Sequence, residues 1–170
     1  MGTVHVSCWV PDENLVGGLH RGFYEIMRGF QNERLVLSGM AVGASQKAID
    51  LTLAWVQQRK AFGGVLWDKQ AIRQRLAALQ ARVDAARQYL YHCAWLMEQG
   101  TDATREVSGL KALACELVNE VTYACVQFHG GQGYMRESTI ERMARDARVM
   151  PIGGGATEVM LDEVAKRMRV

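Results

Sequence analysis

Residues 68–98, DKQAIRQRLAALQARVDAARQYLYHCAWLME, decide the fold class. Within them Ile72, Leu76, Leu79, Val83, Ala86, Leu90, Cys93 and Met97 recur at alternating steps of four and three. That spacing lines them up on one narrow seam of an α-helix, and such a seam leaves water only against antiparallel helical partners. Downstream, Gly100, Thr101 and Asp102 close this helix. A further helix is predicted from about Thr104 to His129, with Val107, Leu110, Ala114, Leu117, Val121, Ala124 and Phe128 facing inward. Upstream, a long helix reads from about Tyr24 to Arg59 and ends where Ala61, Phe62, Gly63 and Gly64 break the pattern. Gly39, Gly43, Ala44 and Ala48 run along one side of it, which predicts a tight helix contact with Leu35, Leu51 and Trp55 filling beside it.

Gly130 to Gly133 end the third helix, a short helical piece covers Thr139 to Arg148, and Thr157 is placed to cap a last helix beginning at Glu158. The only prolines are Pro11 and Pro151. The expected fold is therefore all-α, an antiparallel bundle of four to five helices. The first two dozen residues differ. Thr3 to Val10 alternates weakly like a strand, and Pro11 to Asn14 is a turn cluster, so this stretch reads as the end of something truncated.

Composition narrows the function classes. With 49% hydrophobic and 22% charged residues, the 170-residue chain suits one globular domain with a real core. Lys and Arg total 20 against 18 for Asp and Glu, and a net charge of +2 gives none of the positive field that nucleic acid requires. No stretch is apolar enough to span a bilayer, and Met1 to Pro11 has the pattern of neither a signal nor a transit peptide. Cys8, Cys93, Cys115 and Cys125 form no CxxC pair and have no histidines at ligand spacing. They point to reduced thiols in a cytosolic or mitochondrial-matrix compartment, and no metal site is expected.

Hydrolase, metalloprotease and nucleotide-loop fingerprints are absent, so chemistry falls to isolated acids and glycine loops. Glu33 sits beside apolar residues on the first long helix; with Arg34 it reads equally as a helix-surface charge pairing with neighbours such as Arg28 or Gln31. Gly153 to Gly155 form either an ordinary turn or a loop that offers N–H groups to a ligand. Gly130 to Gly133 form either a helix cap or a point of close backbone approach.

Several segments together resemble the acyl-CoA dehydrogenase family. These are Glu33-Arg34 opening a small-residue helix, Arg59 to Gly63 followed by Gln70, Gln127 to Tyr134, and Arg145 to Arg148. Val10 to Asn14 with Gly17 and Gly18 resembles that family's exit from its middle β-barrel. The resemblance implies residues 1–22 as the end of the barrel domain and linker, and 23–170 as the C-terminal helical bundle. It also implies that this chain holds less than half a subunit and is inactive without the other domains.

The family's chemistry implies FAD-dependent α,β-desaturation of an acyl-CoA thioester, in which a carboxylate removes the α-proton while the β-hydrogen leaves as hydride to flavin N5. In many members the base lies at the position matching Gly154, and glycine cannot accept a proton. A branch similar to isovaleryl-CoA dehydrogenase carries the base on the first long helix instead, at the position of Glu33. The Gly154 backbone N–H matches the donor that polarises the thioester carbonyl. Phe30 and Arg34 match residues lining the acyl pocket and thioester channel. Arg59, Phe62, Gln70, Gln127 and Gly131 match residues that reach FAD across a subunit interface, which implies a homodimer or homotetramer. Ala61 and Ala156 stand where many relatives have threonine, and Thr157 is the residue placed to compensate. Gln31 replaces a frequent aspartate beside the channel.

Electron-transfer flavoprotein is the implied electron acceptor, and a flavin oxidase of the same fold is the variant that acceptor preference would distinguish. The reading from another class is a truncated helical bundle that serves oligomerisation or partner binding without catalysis. Acyl chain length and branching are not legible in these residues.

Overall fold

The computed structural model describes residues 3–168. The outermost positions of both expected domain ranges, 1–2 and 169–170, lie outside the described residues. Among the described residues six α-helices form the body: α1 (Gly22–Gln58), α2 (Gln70–Glu98), α3 (Thr104–His129), α4 (Gly131–Tyr134), α5 (Thr139–Ala147) and α6 (Thr157–Ala165). The count exceeds the expected four to five because Gly130, at φ 61°, bends the chain into the single turn of α4 instead of a plain loop.

Helix α3 is the central member and packs against α1, α2, α5 and α6. Val107, Leu110, Ala114, Leu117, Val118 and Val121 on α3 are buried together with Leu79, Val83, Ala86 and Cys93 on α2 and with Ala41, Val42, Ala48 and Ile49 on α1. The seam read from spacing in residues 68–98 is thus the face α2 turns inward. Asp102 accepts hydrogen bonds from the Thr104 backbone N–H and hydroxyl at 3.0 and 2.6 Å, anchoring the start of α3.

Between α1 and α2 the glycine-rich break is a miniature hairpin, β1 (Lys60–Ala61) paired antiparallel with β2 (Gly64–Val65). Its two turn residues, Phe62 and Gly63, have φ of 55° and 79°, the paired positive values of a tight hairpin turn. Asp68 lies in a 3-10 turn, Leu66–Asp68, and accepts the Val65 N–H at 2.9 Å, so α2 begins two residues later than the sequence suggests.

Three further expectations are corrected. Thr3 to Val10 forms no strand, because no partner strand stands beside it among the described residues. Gly43 is exposed and a β-carbon there would meet nothing within 4 Å, so it falls outside the contact stripe, whereas Ala48 is buried, Ala44 packs on the core and Gly39 lies 3.8 Å from Leu90 Cδ2 by the same measure. Thr157 does not cap the last helix. It is the first residue of α6, and its hydroxyl instead donates to Glu116 at 2.6 Å, tying α6 to α3.

Candidate active site at the Gly153–Gly155 loop

Glu33 and Gly154, 121 positions apart in the chain, meet at one end of the bundle. Phe30, Glu33 and Leu37 share a face of α1 because they are spaced by three and four. The loop before α6 crosses that face. A β-carbon built on Gly154 would lie 3.5 Å from Glu33 Oε1 and 2.7 Å from Leu37 Cδ1. Any larger residue at 154 would therefore contest the space that the Glu33 carboxylate borders. Among the described residues no hydrogen bond or ion pair engages that carboxylate, and Glu33 itself is exposed; neighbouring Arg28 pairs with Glu25.

Gly154 has φ 68° and Gly155 φ 116°, values that favour glycine. The loop is closed by the Gly153 N–H donating to Val149 O at 2.9 Å and the Thr157 N–H donating to Pro151 O at 3.1 Å. Gly154→Ala is expected to lower stability by about 1–2 kcal/mol through its left-handed backbone alone. Urea unfolding of the variant would measure this, and an unchanged midpoint would mean the loop does not require that conformation.

Arg34 is not the surface cation its position on a helix allowed. It is 8% exposed, its Nε donates to Gly154 O at 2.9 Å, and its guanidinium lies 5.7 Å from the centre of the Phe30 ring. Burial lowers its pKa, an effect opposed by the charges of Glu163 and Glu33. Lys111 from α3, fully buried, donates its Nζ to the carbonyl of Gly155. The sequence reading missed Lys111, although it sits one turn from Val107 and one from Cys115, both core residues, in the inward stripe of α3. Leu37 and Met160, the side chains packed closest to Gly154 and Gly155, were missed as well.

The trans peptide sets an N–H opposite each carbonyl. With the Gly154 and Gly155 carbonyls drawn onto Arg34 and Lys111, the N–H groups of Gly155 and Ala156 point away from those cations. Among the described residues neither these nor the Gly154 N–H donates to any group. The loop therefore presents unspent donors beside an unspent carboxylate, the two elements needed to stabilise a developing oxyanion and to take a proton.

A second group of expected residues gathers at the other end of α1. Arg59 follows the last turn with its guanidinium 5.7 Å from the Trp55 ring centre. Trp55 in turn donates to Phe128 O at 3.2 Å and stacks on His129 at 5.1 Å. Arg59 is thereby brought to the same edge as Gln127 and Gly131, all three exposed. Phe62, 85% exposed, projects from the hairpin tip, where Lys69 holds its carbonyl at 3.0 Å; exposed Gln70 starts α2 nearby. Thr157 joins neither set through its hydroxyl, which Glu116 occupies. Glu33 and Arg59 are 26 positions apart on one helix, about 39 Å at 1.5 Å per residue. The structure thus does not bring the two groups together within one chain.

The remaining polar chemistry is quiet. Burial pushes the thiols of Cys93, Cys115 and Cys125 up to about 11, which makes them inert core thiols. No metal-holding cluster of His, Cys, Asp and Glu and no helix long and apolar enough to cross a membrane occurs among the described residues.

The family model described as acyl-CoA dehydrogenase, C-terminal domain, matches residues 20–169. The chain is similar to acyl-(acyl-carrier-protein) dehydrogenase MbtN of Mycobacterium sp. (strain MCS), at 38% identity over 98% of this chain and 42% of that protein. It is similar to the mitochondrial isovaleryl-CoA dehydrogenase of Solanum tuberosum, at 35% identity over 92% of this chain and 38% of that protein. The crystal structure of acyl-CoA dehydrogenase from Geobacillus kaustophilus superposes with a TM-score of 0.91 at 34% identity, covering 95% of this chain and 42% of that one. The chain therefore spans about two fifths of the length of these relatives. With a family match that takes in the whole bundle and a superposition that reproduces it, the chain belongs to the acyl-CoA dehydrogenase family and carries its helical C-terminal domain.

Proposed function

We propose that this chain supplies the catalytic base and the carbonyl-binding loop of an enzyme that desaturates acyl-CoA thioesters. The observation that carries the reading is the meeting of the Glu33 carboxylate with the side-chain-free Gly154. Glu33 removes the α-proton, and the Gly154 N–H donates to the thioester oxygen as negative charge builds there. Phe30 and Leu37 share the face of α1 that carries Glu33, and Arg34 supports the loop from beneath.

FAD, when bound, accepts the β-hydrogen as hydride. The Arg59 end fits that dinucleotide: Arg59 offers a forked donor for a diphosphate, and a β-carbon on Gly131 would meet nothing within 4 Å, leaving room for close approach. Phe62, Gln70 and Gln127 lie exposed around the same end, whereas the Thr157 hydroxyl is held by Glu116. Because about 39 Å of helix separates Glu33 from Arg59, one FAD meets these residues only if two copies of the protein each contribute one end. A homodimer or homotetramer follows, with electron-transfer flavoprotein as the electron acceptor. The start of α1 at Gly22 and the family match from residue 20 support a division into residues 1–22, leading out of a barrel domain, and the bundle 23–170.

The test is anaerobic addition of straight and branched acyl-CoAs to the complete, FAD-loaded enzyme. Bleaching of the flavin's visible band, with formation of the trans-2-enoyl product, is expected. A stably coloured enzyme that no acyl thioester bleaches, whether carried on CoA or on a carrier protein, would sink the reading.

A further inference from the structure

Lys111 is 0% exposed, yet no carboxylate among the described residues forms an ion pair with it. Burial lowers its pKa; the nearby Cys115 and Glu116 oppose that shift, and the charge of Arg34 adds to it. A buried ammonium without a counter-ion is costly relative to an apolar side chain of the same length. Val107, Cys115 and Val118 on the same helix belong to the apolar core. What the ammonium does instead is donate to the carbonyl oxygen of Gly155, the residue that follows the Gly154 donor.

Arg34 does the same one residue earlier, from a different helix. Two successive carbonyls of a loop whose glycines could otherwise rotate freely are thus held inward by two buried cations. Glycine has the largest conformational freedom to lose, so this loop has the greatest need of such restraint. A charge on the carbonyl side of a peptide also polarises it, which strengthens donation from the N–H on the far side. The N–H on the far side of the Gly155–Ala156 peptide, that of Ala156, donates to no group among the described residues, and the same loop carries Gly154 beside Glu33.

We propose that Lys111 is a positioning residue for the desaturation, holding the Gly155 carbonyl inward so that the loop that carries the Gly154 N–H keeps one fixed conformation beside the thioester oxygen. The inference rests on the acyl-thioester reading above and deepens it. Lys111 touches no substrate; it acts through the Gly155–Ala156 peptide.

The test compares Lys111→Met with Lys111→Arg in the complete, FAD-loaded enzyme. The measurements are kcat and KM with an acyl-CoA, exchange of the acyl-CoA α-hydrogen into deuterated water, and amide hydrogen exchange over residues 152–157. Lys111→Met is expected to lower kcat and α-hydrogen exchange about 10- to 100-fold, somewhat less than loss of a direct oxyanion donor, with KM within about threefold. Amide exchange in the loop should rise while that around Val118 and Val121 stays as in the wild type. Lys111→Arg, which keeps charge and donor, should recover most of the rate. Should the Met variant not fold, Lys111→Gln, which keeps a donor without the charge, takes its place with the same expected loss. Unchanged loop exchange in the neutral variant overturns the proposal, as does a loosened loop with wild-type α-hydrogen exchange. If the wild type itself never exchanges the α-hydrogen, the desaturation reading fails separately, and the loop measurement still decides whether Lys111 holds the loop.

Discussion

Glu33→Gln in the complete enzyme is expected to reduce α-proton abstraction by about a thousandfold or more, within the range by which a positioned general base accelerates proton transfer. Glutamine keeps the size and polarity of the side chain but cannot accept the proton, so acyl-CoA affinity should stay within about threefold of wild type, a loss confined to the transition state. No group in the described chain depends on the Glu33 carboxylate for a hydrogen bond or an ion pair. The substitution should accordingly move folding stability by no more than about 0.5 kcal/mol. Stopped-flow flavin reduction and equilibrium binding of the same acyl-CoA separate these effects. Flavin reduction that persists at the wild-type rate would relocate the base, with Glu158 at the start of α6 the first alternative.

The second large effect concerns folding. Gly133 is buried in the single turn of α4, and a β-carbon there would lie 2.6 Å from the carbonyl oxygen of Val126 and 2.8 Å from His129 Cβ. The first of these is backbone of α3 and cannot rotate away. Gly133→Ala should therefore cost about 3 kcal/mol, at the upper end of what overpacking costs. At about 2–4 °C per kcal/mol for a chain of this size, Tm should fall by roughly 6–12 °C. Gly131, two residues earlier, meets nothing within 4 Å, so Gly131→Ala serves as the control and should leave Tm nearly unchanged. Equal melting of the two variants would show that α4 does not pack on α3 as described. Because α4 adjoins the edge that holds Arg59 and Gln127, the Gly133 variant should also retain FAD poorly.

The elements whose boundaries were readable are those with long, one-sided apolar repeats. For α3 the expected Thr104 to His129 is also the observed span, and α2 departs only at its start. Such repeats encode their own burial, because a helix of seven turns can hide that many apolar groups only on one flank. The short elements did not announce themselves. Phe62 at φ 55° is an unusual turn residue, so the hairpin at residues 60–65 could not be told from a helix break. Gly43 and Gly39 look alike in the chain, yet only one faces a neighbour closely, which depends on where Leu90 of α2 arrives. Lys111 lay within a readable stripe, but a lysine there argues equally for a break in the stripe until an acceptor is seen.

Repeat spacing, glycine breaks and a handful of ordered motifs were enough to assign an all-helical bundle, its family and an acid worth testing, because those properties depend on residues close together along the chain. Tertiary structure alone decided that Glu33 borders Gly154, that Arg34 is buried beneath the loop with Lys111, and that Arg59 comes to the same edge as Gln127 and Gly131. These are meetings between segments more than forty positions apart, and local spacing carries no information about which distant carbonyl a buried cation will find.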